Sequence, residues 1–159
     1  MTSVFKKIFN YEDDLSVFKG IDANRIACNT IVLCGNKILL GCRRKKYAKG
    51  MWCLPGGHLN LGESLDKCFS RELYEEVGVV GSGQVPFLIV EEVSEKYIFY
   101  HFFAYLRIKR KRAGWFVNKE PKNFSCWLLF DYKDIPDEMI TSHRLAADYL
   151  FSKNRVIRI

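Results

Sequence analysis

Residues 57–79 read GHLNLGESLDKCFSRELYEEVGV, and no other stretch says as much about the architecture and chemistry of this chain. Glu72, Glu75 and Glu76 are spaced i, i+3 and i+4, so a helix here places the three carboxylates on one face within a turn. Like charges at these spacings destabilise an isolated helix by roughly 0.2–0.5 kcal/mol per pair. Because carboxylate oxygens suit hard divalent ions, the sequence predicts a site for Mg²⁺, with Mn²⁺ as a substitute.

The same stretch carries the signals of a helix. Glu63, Ser64 and Asp66 supply oxygens and negative charge at the expected N-terminus, and Gly78 lies where a left-handed residue would end the helix. Apolar residues recur at helical spacing and form a stripe: Leu65, Cys68, Phe69, Leu73 and Val77. The acidic face and the apolar face therefore lie on different sides of one predicted helix.

A fixed pattern runs through this helix and the loop before it. Gly57 is followed after five residues by Glu63 and, after seven more, by Arg71-Glu72-Leu73-x-Glu75-Glu76-x-Gly78-Val79. This pattern resembles the signature box of the MutT/Nudix hydrolase family at every fixed position. Residues 54–57, which read LPGG, and the later Trp127 also resemble that family.

The resemblance implies an α/β fold, a Nudix-type α/β/α sandwich with a mixed β-sheet between helices. Residues 25–159 are expected to form the Nudix hydrolase domain, with residues 1–24 as an N-terminal extension packed on it. The remaining sequence patterns agree with this fold, because strands around one helix and a helix at the end favour a sheet covered on both faces. They predict strands at 26–34, 37–43, 52–54, 87–93, 97–108 and 124–130 and a second helix at 143–153.

The resemblance also implies metal ligands and catalytic groups within the box. Glu72, Glu75 and Glu76 are expected to bind Mg²⁺, with the backbone carbonyl of Gly57 as a further ligand. Such an ion neutralises the charge that develops on phosphate and activates water. Glu75 or Glu76 is the expected general base within the box. Arg71 is expected to orient the acids, since a guanidinium can clamp a carboxylate through two hydrogen bonds.

Further acids are expected to support the metal ligands. The resemblance implies that Glu63 anchors the cluster from a position behind the ligands. Family members often recruit one more acid from outside the box, and Glu95, in a predicted turn, is the favoured candidate. Glu92 and Glu120 are the alternatives for that acid, and His101 is an alternative base.

Candidates for substrate binding flank the box. Arg43 and Arg44 are expected to bind phosphate, Gly56 lets the backbone approach a ligand, and His58 is expected to line the pocket. Aromatic residues are candidates for stacking on a nucleobase: Trp52, with Tyr97, Phe99, Trp115 and Trp127 as alternatives.

The formal charge of +7 is concentrated in two basic segments, residues 43–49 and 107–112. Such segments attract polyanions, so an RNA cap or a polyphosphate is an additional expected partner beside a small nucleotide. Charge alone does not separate these two kinds of partner.

Composition limits the class of protein. A chain of 159 residues that is 48% hydrophobic and 14% aromatic is expected to fold as one domain and not to be disordered. The first residues lack the apolar core of a signal peptide and no apolar run is long enough for a membrane span, so a cytoplasmic location is expected. The six cysteines form no CxxC pair and are expected to be reduced thiols, with Cys53 and Cys126 as candidates for a labile thiol.

The family resemblance implies hydrolysis of a phosphoanhydride bond in a nucleoside diphosphate-linked substrate, and residues 54–63 most resemble the members that cleave a nucleoside triphosphate to a monophosphate and pyrophosphate. A GDP-mannose-type nucleotide-sugar hydrolase, which residues 49–52 resemble more weakly, is one alternative. A dinucleoside polyphosphate or RNA-cap hydrolase and a non-catalytic nucleotide sensor are the others. The aromatic surface of the strand at 97–108 makes a homodimer a further expectation.

Overall fold

The structure, a computed structural model, describes residues 4–10, 18, 20–81, 83–109 and 116–152. Two helices lie in these ranges, α1 (Leu65–Val77) and α2 (Thr141–Ser152), with 3-10 turns at Ala23–Arg25 and Tyr132–Asp134. The strands in the same ranges are β1 (Val4–Asn10), β2 (Ile26–Cys34), β3 (Lys37–Arg43), β4 (Trp52–Cys53), β5 (Gly56–His58), β6 (Val85–Val93), β7 (Ile98–Arg107) and β8 (Phe124–Asp131). Neither of these helices is long and apolar enough to span a membrane.

The strands form one mixed sheet. Its order is β1-β6-β7-β2-β3-β4, with β5 also paired to β2 and β8 to β3. Strands β2 and β7 are parallel, from Ile26 opposite Tyr100 to Leu33 opposite Arg107. Parallel neighbours need a long crossover connection, and here that connection includes α1.

The helices cover opposite faces of the sheet. Successive side chains of a strand point to opposite faces, and all nine residues of β2 are buried. Ile31 and Leu33 pack in the cluster that contains α2 residues, whereas Val32 packs with Leu73 and Val77 of α1. The α/β/α sandwich predicted from the sequence is therefore confirmed.

Helix α1 begins and ends as its sequence predicts. The Ser64 hydroxyl accepts the backbone N–H of Lys67 and caps the first turn. Gly78 takes the left-handed conformation with φ of 72° and donates its N–H to the carbonyl of Tyr74. The two caps fix where α1 begins and ends, and they thereby fix where its acidic residues lie in the fold.

Strand β1 is an element that the sequence patterns did not predict. It lies in the expected N-terminal extension and pairs antiparallel with β6, from Val4 opposite Val93 to Asn10 opposite Leu88. The adjacent lysines in VFKKIFN interrupt the alternation that identifies a strand. The side chain of Asn10 also hydrogen bonds to the hydroxyl of Tyr149, so the end of β1 is tied to α2.

Strand β5 replaces part of the predicted glycine loop. Gly56, Gly57 and His58 pair antiparallel with Asn29, Cys28 and Ala27 of β2. A Cβ on Gly56 would overlap the side-chain oxygen of Asn29 and the carbonyl of Cys28. The glycine therefore permits close pairing at this position.

Helix α2 begins two residues earlier than predicted, at Thr141 instead of His143. The predicted final residue, Lys153, lies outside the described residues. The earlier start matters for the site, because it places Thr141 and Ser142 within the first turn of the helix, where backbone N–H groups lack partners inside the helix.

Candidate active site

Arg71 gathers the acids of the box around its guanidinium. Its Nε and Nη2 donate to the Glu63 carboxylate at 2.6 and 2.9 Å. Its Nη1 donates to Glu72 at 2.8 Å and to Glu75 at 3.2 Å, and Nη2 also reaches the carbonyl of His58 at 2.9 Å. The hydrogen bond from Arg71 is the main reason that the pKa of Glu63 falls to about 2. Arg71 therefore fixes the loop before α1 to the acidic face of the helix.

Glu76 is the most buried acid of the cluster, with only 4% of its surface exposed. Its Oε2 accepts the backbone N–H of Gly56 at 3.0 Å, which links α1 to β5. Burial raises the pKa of the Glu76 carboxyl well above its ordinary value, and the charges of Glu72 and Glu120 raise it further. Glu76 is thus a carboxylate whose negative charge is poorly compensated by the described residues around it.

Glu72 reaches β5 beside Glu76. A Cβ on Gly57 would lie 2.5 Å from the carboxyl carbon of Glu72, so the close approach depends on glycine at this position. Burial raises the pKa of Glu72 even though Arg71 acts in the opposite direction. The buried Glu76 and the partly buried Glu72 therefore both approach the backbone of β5.

These groups fit a hard divalent ion by their chemistry. Glu72, Glu75, Glu76 and the carbonyl of Gly57 offer only oxygen, and the poorly compensated charge of the buried Glu76 favours a cation. Among the residues that the structure describes, no three His, Cys, Asp or Glu side chains are already gathered as a metal-binding group. Arg71 and the amide of Gly56 engage the acids in this conformation, so an ion would require these carboxylates to reorient.

A cavity of about 530 Å³ adjoins the acid cluster. This volume lies within the usual range for small-molecule sites. Gly56 and Gly57 line it, so the acids and the cavity share β5 as a wall. Thr141, Ser142 and His143, at the start of α2, line another side.

Aromatic rings form part of the cavity wall. The His58 ring lies edge-on to Phe99 with centroids 5.5 Å apart, and Phe99 lies 4.8 Å from His101. Tyr97 continues this group at the outer end of β7, with its centroid 6.4 Å from Phe99. Flat apolar surfaces of this kind are typical of sites that bind ring-shaped ligands.

Positive charge lies close to the same cavity. Arg43 lines the cavity, donates from Nε to the carbonyl of Tyr47 at 3.2 Å, and lies 5.7 Å from the centroid of the Tyr47 ring. Burial lowers the pKa of His58, and the charge of Lys45 lowers it further, so Lys45 acts on this region electrostatically. The basic loop between β3 and β4 is therefore placed where it would attract an anionic ligand.

Two further histidines line the cavity. His143 accepts the backbone N–H of Leu54 at Nδ1, at 2.9 Å, and burial holds its pKa well below the ordinary value. Nε2 of His101 lies 2.5 Å from Oε2 of Glu92, which lines the cavity as well. The cavity thus combines aromatic surface with a small number of polar groups.

Comparison with known proteins gives the family. The family model of the NUDIX domain matches residues 24–149. The chain belongs to the NUDIX family. The resemblance that the signature box indicated is therefore confirmed over most of the chain.

Curated NUDIX relatives match over shorter segments. The chain is 38% identical over 55 residues to an ADP-ribose pyrophosphatase of Methanocaldococcus jannaschii, which covers 35% of this chain and 32% of that protein. It is 42% identical over 50 residues to an 8-oxo-dGTP diphosphatase of Buchnera aphidicola, which covers 31% of this chain and 38% of that protein. The matched segments thus span only about a third of the length of each relative.

Solved NUDIX structures share the fold of the chain. A MutT NUDIX hydrolase from Burkholderia pseudomallei superimposes with a TM-score of 0.71 at 21% identity, over 78% of this chain and 95% of that one. The NUDIX domain of Shewanella oneidensis NrtR, determined with ADP ribose, gives a TM-score of 0.70 at 17% identity, over 85% and 91% of the two chains. At these identities the likeness establishes the fold.

In this NUDIX domain the predicted substrate-binding residues divide into two groups. Arg43, Gly56 and His58 line the cavity. Arg44 does not, and its Nη1 donates to the carbonyl of Pro121 at 3.1 Å. Trp52 also lies outside the lining and packs edge-on against Phe130 of the core, with centroids 4.8 Å apart.

Most of the alternative stacking residues also have clear positions. Tyr97 and Phe99 line the cavity. Trp127 packs over Gly41, where a Cβ would lie 2.7 Å from its ring, and contacts Phe124. Trp115 lies outside the described residues.

The candidates for an acid outside the box have different surroundings. Glu120 acts electrostatically on both Glu72 and Glu76 and raises the pKa of each carboxyl. Glu95 is exposed in the turn between β6 and β7, whose hydrogen bonds are made by the neighbouring Ser94. Of these two candidates, Glu120 is therefore the one whose charge acts on the acids of α1.

Sequence reasoning missed Asn29 and His143. Asn29 had one detectable signal, because it is a polar amide inside an otherwise largely apolar strand. His143 was predicted only as the first residue of a helix, and its hydrogen bond to Leu54 joins positions 89 residues apart. A contact of that separation leaves no local pattern in the sequence.

Proposed function

We propose that this chain is a Mg²⁺-dependent Nudix hydrolase that cleaves a phosphoanhydride bond in a nucleoside diphosphate-linked substrate. A nucleoside triphosphate, cleaved to a monophosphate and pyrophosphate, is the substrate class that we favour. The observation that carries the proposal is the shared wall: Gly56 and Gly57 touch the buried acids and also line the cavity. A ligand in the cavity would therefore have its phosphates beside the acids.

Glu72, Glu75, Glu76 and the carbonyl of Gly57 are the groups that would hold the ion. When bound, Mg²⁺ supplies charge neutralisation at the phosphate and activation of water. Arg71 positions Glu72 and Glu75 through its hydrogen bonds, and its bond to Glu63 restrains the guanidinium. These hydrogen bonds keep the acids gathered on one face of α1 before an ion binds, so that only the orientations of the carboxylates have to change.

Glu120 is our candidate for the acid outside the box. Its charge already acts on Glu72 and Glu76, and its own side chain accepts a hydrogen bond from Asn123 at 3.2 Å. A carboxylate near the ligands is suited to accept a proton from the attacking water. Glu75 and Glu76 remain the candidates within the box.

We expect the basic loop to bind the phosphates of the substrate and the aromatic part of the cavity wall to bind its nucleoside. Arg43 and Lys45 supply positive charge for phosphates, while Phe99 and Tyr97 offer ring surfaces for a nucleoside. This division matches the composition of a nucleotide, which is anionic at one end and flat at the other.

An ADP-ribose-type substrate is the second candidate. The observation that favours it is the segment shared at 38% identity with an ADP-ribose pyrophosphatase. The same acids would serve, because the bond to be broken is again a phosphoanhydride. The cavity would then need space for the ribose on the far side of the diphosphate as well as for the adenosine.

A product assay separates these substrates. The purified chain is incubated with Mg²⁺ and each of four kinds of compound, and the products are identified by mass. The panel contains nucleoside triphosphates, GDP-mannose and other nucleotide sugars, ADP-ribose, and dinucleoside polyphosphates with capped RNA. Release of pyrophosphate from a triphosphate supports the favoured class, and release of AMP with ribose 5-phosphate supports the second. Intact compounds throughout the panel would overturn the proposed function.

A further inference from the structure

The side-chain amide of Asn29 lacks a hydrogen-bond partner in a buried position. Asn29 is 4% exposed and lines the cavity, and no described residue accepts a hydrogen bond from its Nδ2. An unpaired buried donor lowers the stability of a fold by roughly 1–3 kcal/mol. Such groups are rare in native proteins and are concentrated where function requires them.

The strand itself gives no structural reason for an amide at this position. Ala27, Ile31 and Leu33 share the face of β2 on which Asn29 lies, and all three are buried and apolar. A leucine at position 29 would continue this pattern. The polar side chain therefore has a role other than packing.

The neighbouring backbone makes room for the amide. The side-chain oxygen of Asn29 lies where a Cβ on Gly56 would be, so any other residue at position 56 would displace it. Gly56 also donates its N–H to Glu76. The amide is thus held next to the wall that the cavity shares with the acid cluster.

The start of α2, which lines the same cavity, also presents donors. His143 uses Nδ1 to accept from Leu54, and in the neutral ring this leaves the proton on Nε2. The first N–H groups of α2, from Thr141 onward, have no partners within the helix. Among the described residues that line the cavity, Glu92 supplies the one carboxylate, and its Oε2 lies 2.5 Å from Nε2 of His101. A bound group here would be met mainly by hydrogen-bond donors.

We propose that Asn29 is a substrate-positioning residue whose Nδ2 donates a hydrogen bond to an oxygen of the bound nucleotide. This inference rests on the proposed function, because it requires a nucleotide in the cavity. The acceptor belongs either to a phosphate or to the sugar or base of the nucleoside. In both cases the ligand supplies the acceptor that no described residue provides to this amide.

The test compares binding by the wild type and by Asn29→Leu, which matches the size of the side chain and removes the donor. Calorimetry in the presence of Mg²⁺ measures the affinity for two kinds of probe. The first kind is the α,β-methylene diphosphates of adenosine, guanosine, cytidine and uridine, and the second is inorganic tripolyphosphate. We expect Asn29→Leu to weaken nucleotide binding roughly 10–100-fold. We expect its melting temperature to equal or exceed that of the wild type, since an unpaired donor has been removed.

The two kinds of probe identify the acceptor. If tripolyphosphate binding weakens in parallel, Asn29 donates to a phosphate oxygen. If only the nucleotides bind more weakly, the oxygen belongs to the sugar or base. Either result supports the assignment of Asn29.

Two further variants distinguish donation from shape. Asn29→Asp keeps the shape of the side chain and lacks the donor, so we expect it to lose at least as much affinity as Asn29→Leu. If Asn29→Leu does not fold, Asn29→Asp alone tests whether the amide donor contributes to nucleotide binding. Thr30→Val removes a polar group from the next position of β2, outside the cavity lining, and should leave affinity unchanged.

The outcomes separate this inference from the proposed function. Equal affinity in the wild type and Asn29→Asp, in a protein that hydrolyses nucleotides, overturns the role of Asn29 alone. A wild type that binds none of the probes and hydrolyses nothing overturns both proposals. Weaker binding in both Asn29 variants, with Thr30→Val unchanged, supports the inference.

Discussion

The acidic face of α1 and the wall of the cavity are built in different ways. The acids lie within one helix and its preceding loop, and a single residue, Arg71, hydrogen bonds to three of them. The cavity takes its lining from β2, β5, β7, the basic loop and the start of α2. The first region is local and strongly charged, whereas the second is assembled from distant segments and holds few charges. The proposed reacting groups thus lie in one segment of the sequence, whereas the proposed binding cavity depends on the whole fold.

The largest expected effect is on the acidic face. Glu75→Gln or Glu76→Gln should reduce kcat by roughly 10³-fold or more, because each removes a carboxylate that we propose as a ligand of the ion. The fold should persist, since neither substitution changes the size of the side chain. Steady-state rates and circular dichroism measure the two outcomes.

The matched control for these variants is Asp66→Asn. Asp66 is an exposed acid in the first turn of the same helix and has no contact with the cluster in the described structure. It should retain the wild-type rate. Full activity in the Glu75→Gln and Glu76→Gln double variant would remove the acidic face from the mechanism.

The next effect tests the wall that the two regions share. Gly57→Ala places a Cβ against the carboxylate of Glu72, so we expect kcat to fall by roughly 10²-fold through misplacement of that acid. Gly81→Ala is the control, because a Cβ there would meet no atom within 4 Å. If both alanine variants keep the wild-type rate, the position of Glu72 against β5 is not required.

A smaller effect is expected from the acid outside the box. Glu120→Gln should lower kcat by at least about tenfold, since its charge acts on Glu72 and Glu76. Glu95→Gln should stay within about twofold of the wild type, because Glu95 is exposed in a turn. Loss of activity in Glu95→Gln with full activity in Glu120→Gln would reverse this assignment and restore the preference drawn from sequence.

The smallest effect concerns stability at acid pH. The pKa of Glu63 is lowered to about 2 from an ordinary value of 4.5, so its ionised form stabilises the fold above the ordinary pKa. This contribution is lost as the pH falls from about 5 towards 2. Melting temperatures measured across that range should fall less steeply for Glu63→Gln than for the wild type. Parallel curves would show that the pairing of Glu63 with Arg71 adds no net stability.

The predictability of each region follows from the distance between its residues in the sequence. The helix, its caps and its acids were predicted because their signals repeat within four residues. Strand β5 was missed because two of its three residues are glycines, which are typical of loops. Asn29 and His143 were missed as site residues because only the paired strands and the packing of α2 bring them to one cavity. Glu120 is only one of several candidates for the outer acid in the sequence, because no motif fixes the position of that acid.

Strand β1 has a consequence for how the molecule is made. It is synthesised well before its partner β6, which follows only after β2 to β5 and α1 have been made. Until then its backbone has no strand to pair with and is exposed to other chains. A nascent chain halted before residue 85 should therefore be more prone to self-association than one released after residue 93, even when the acidic helix has already formed.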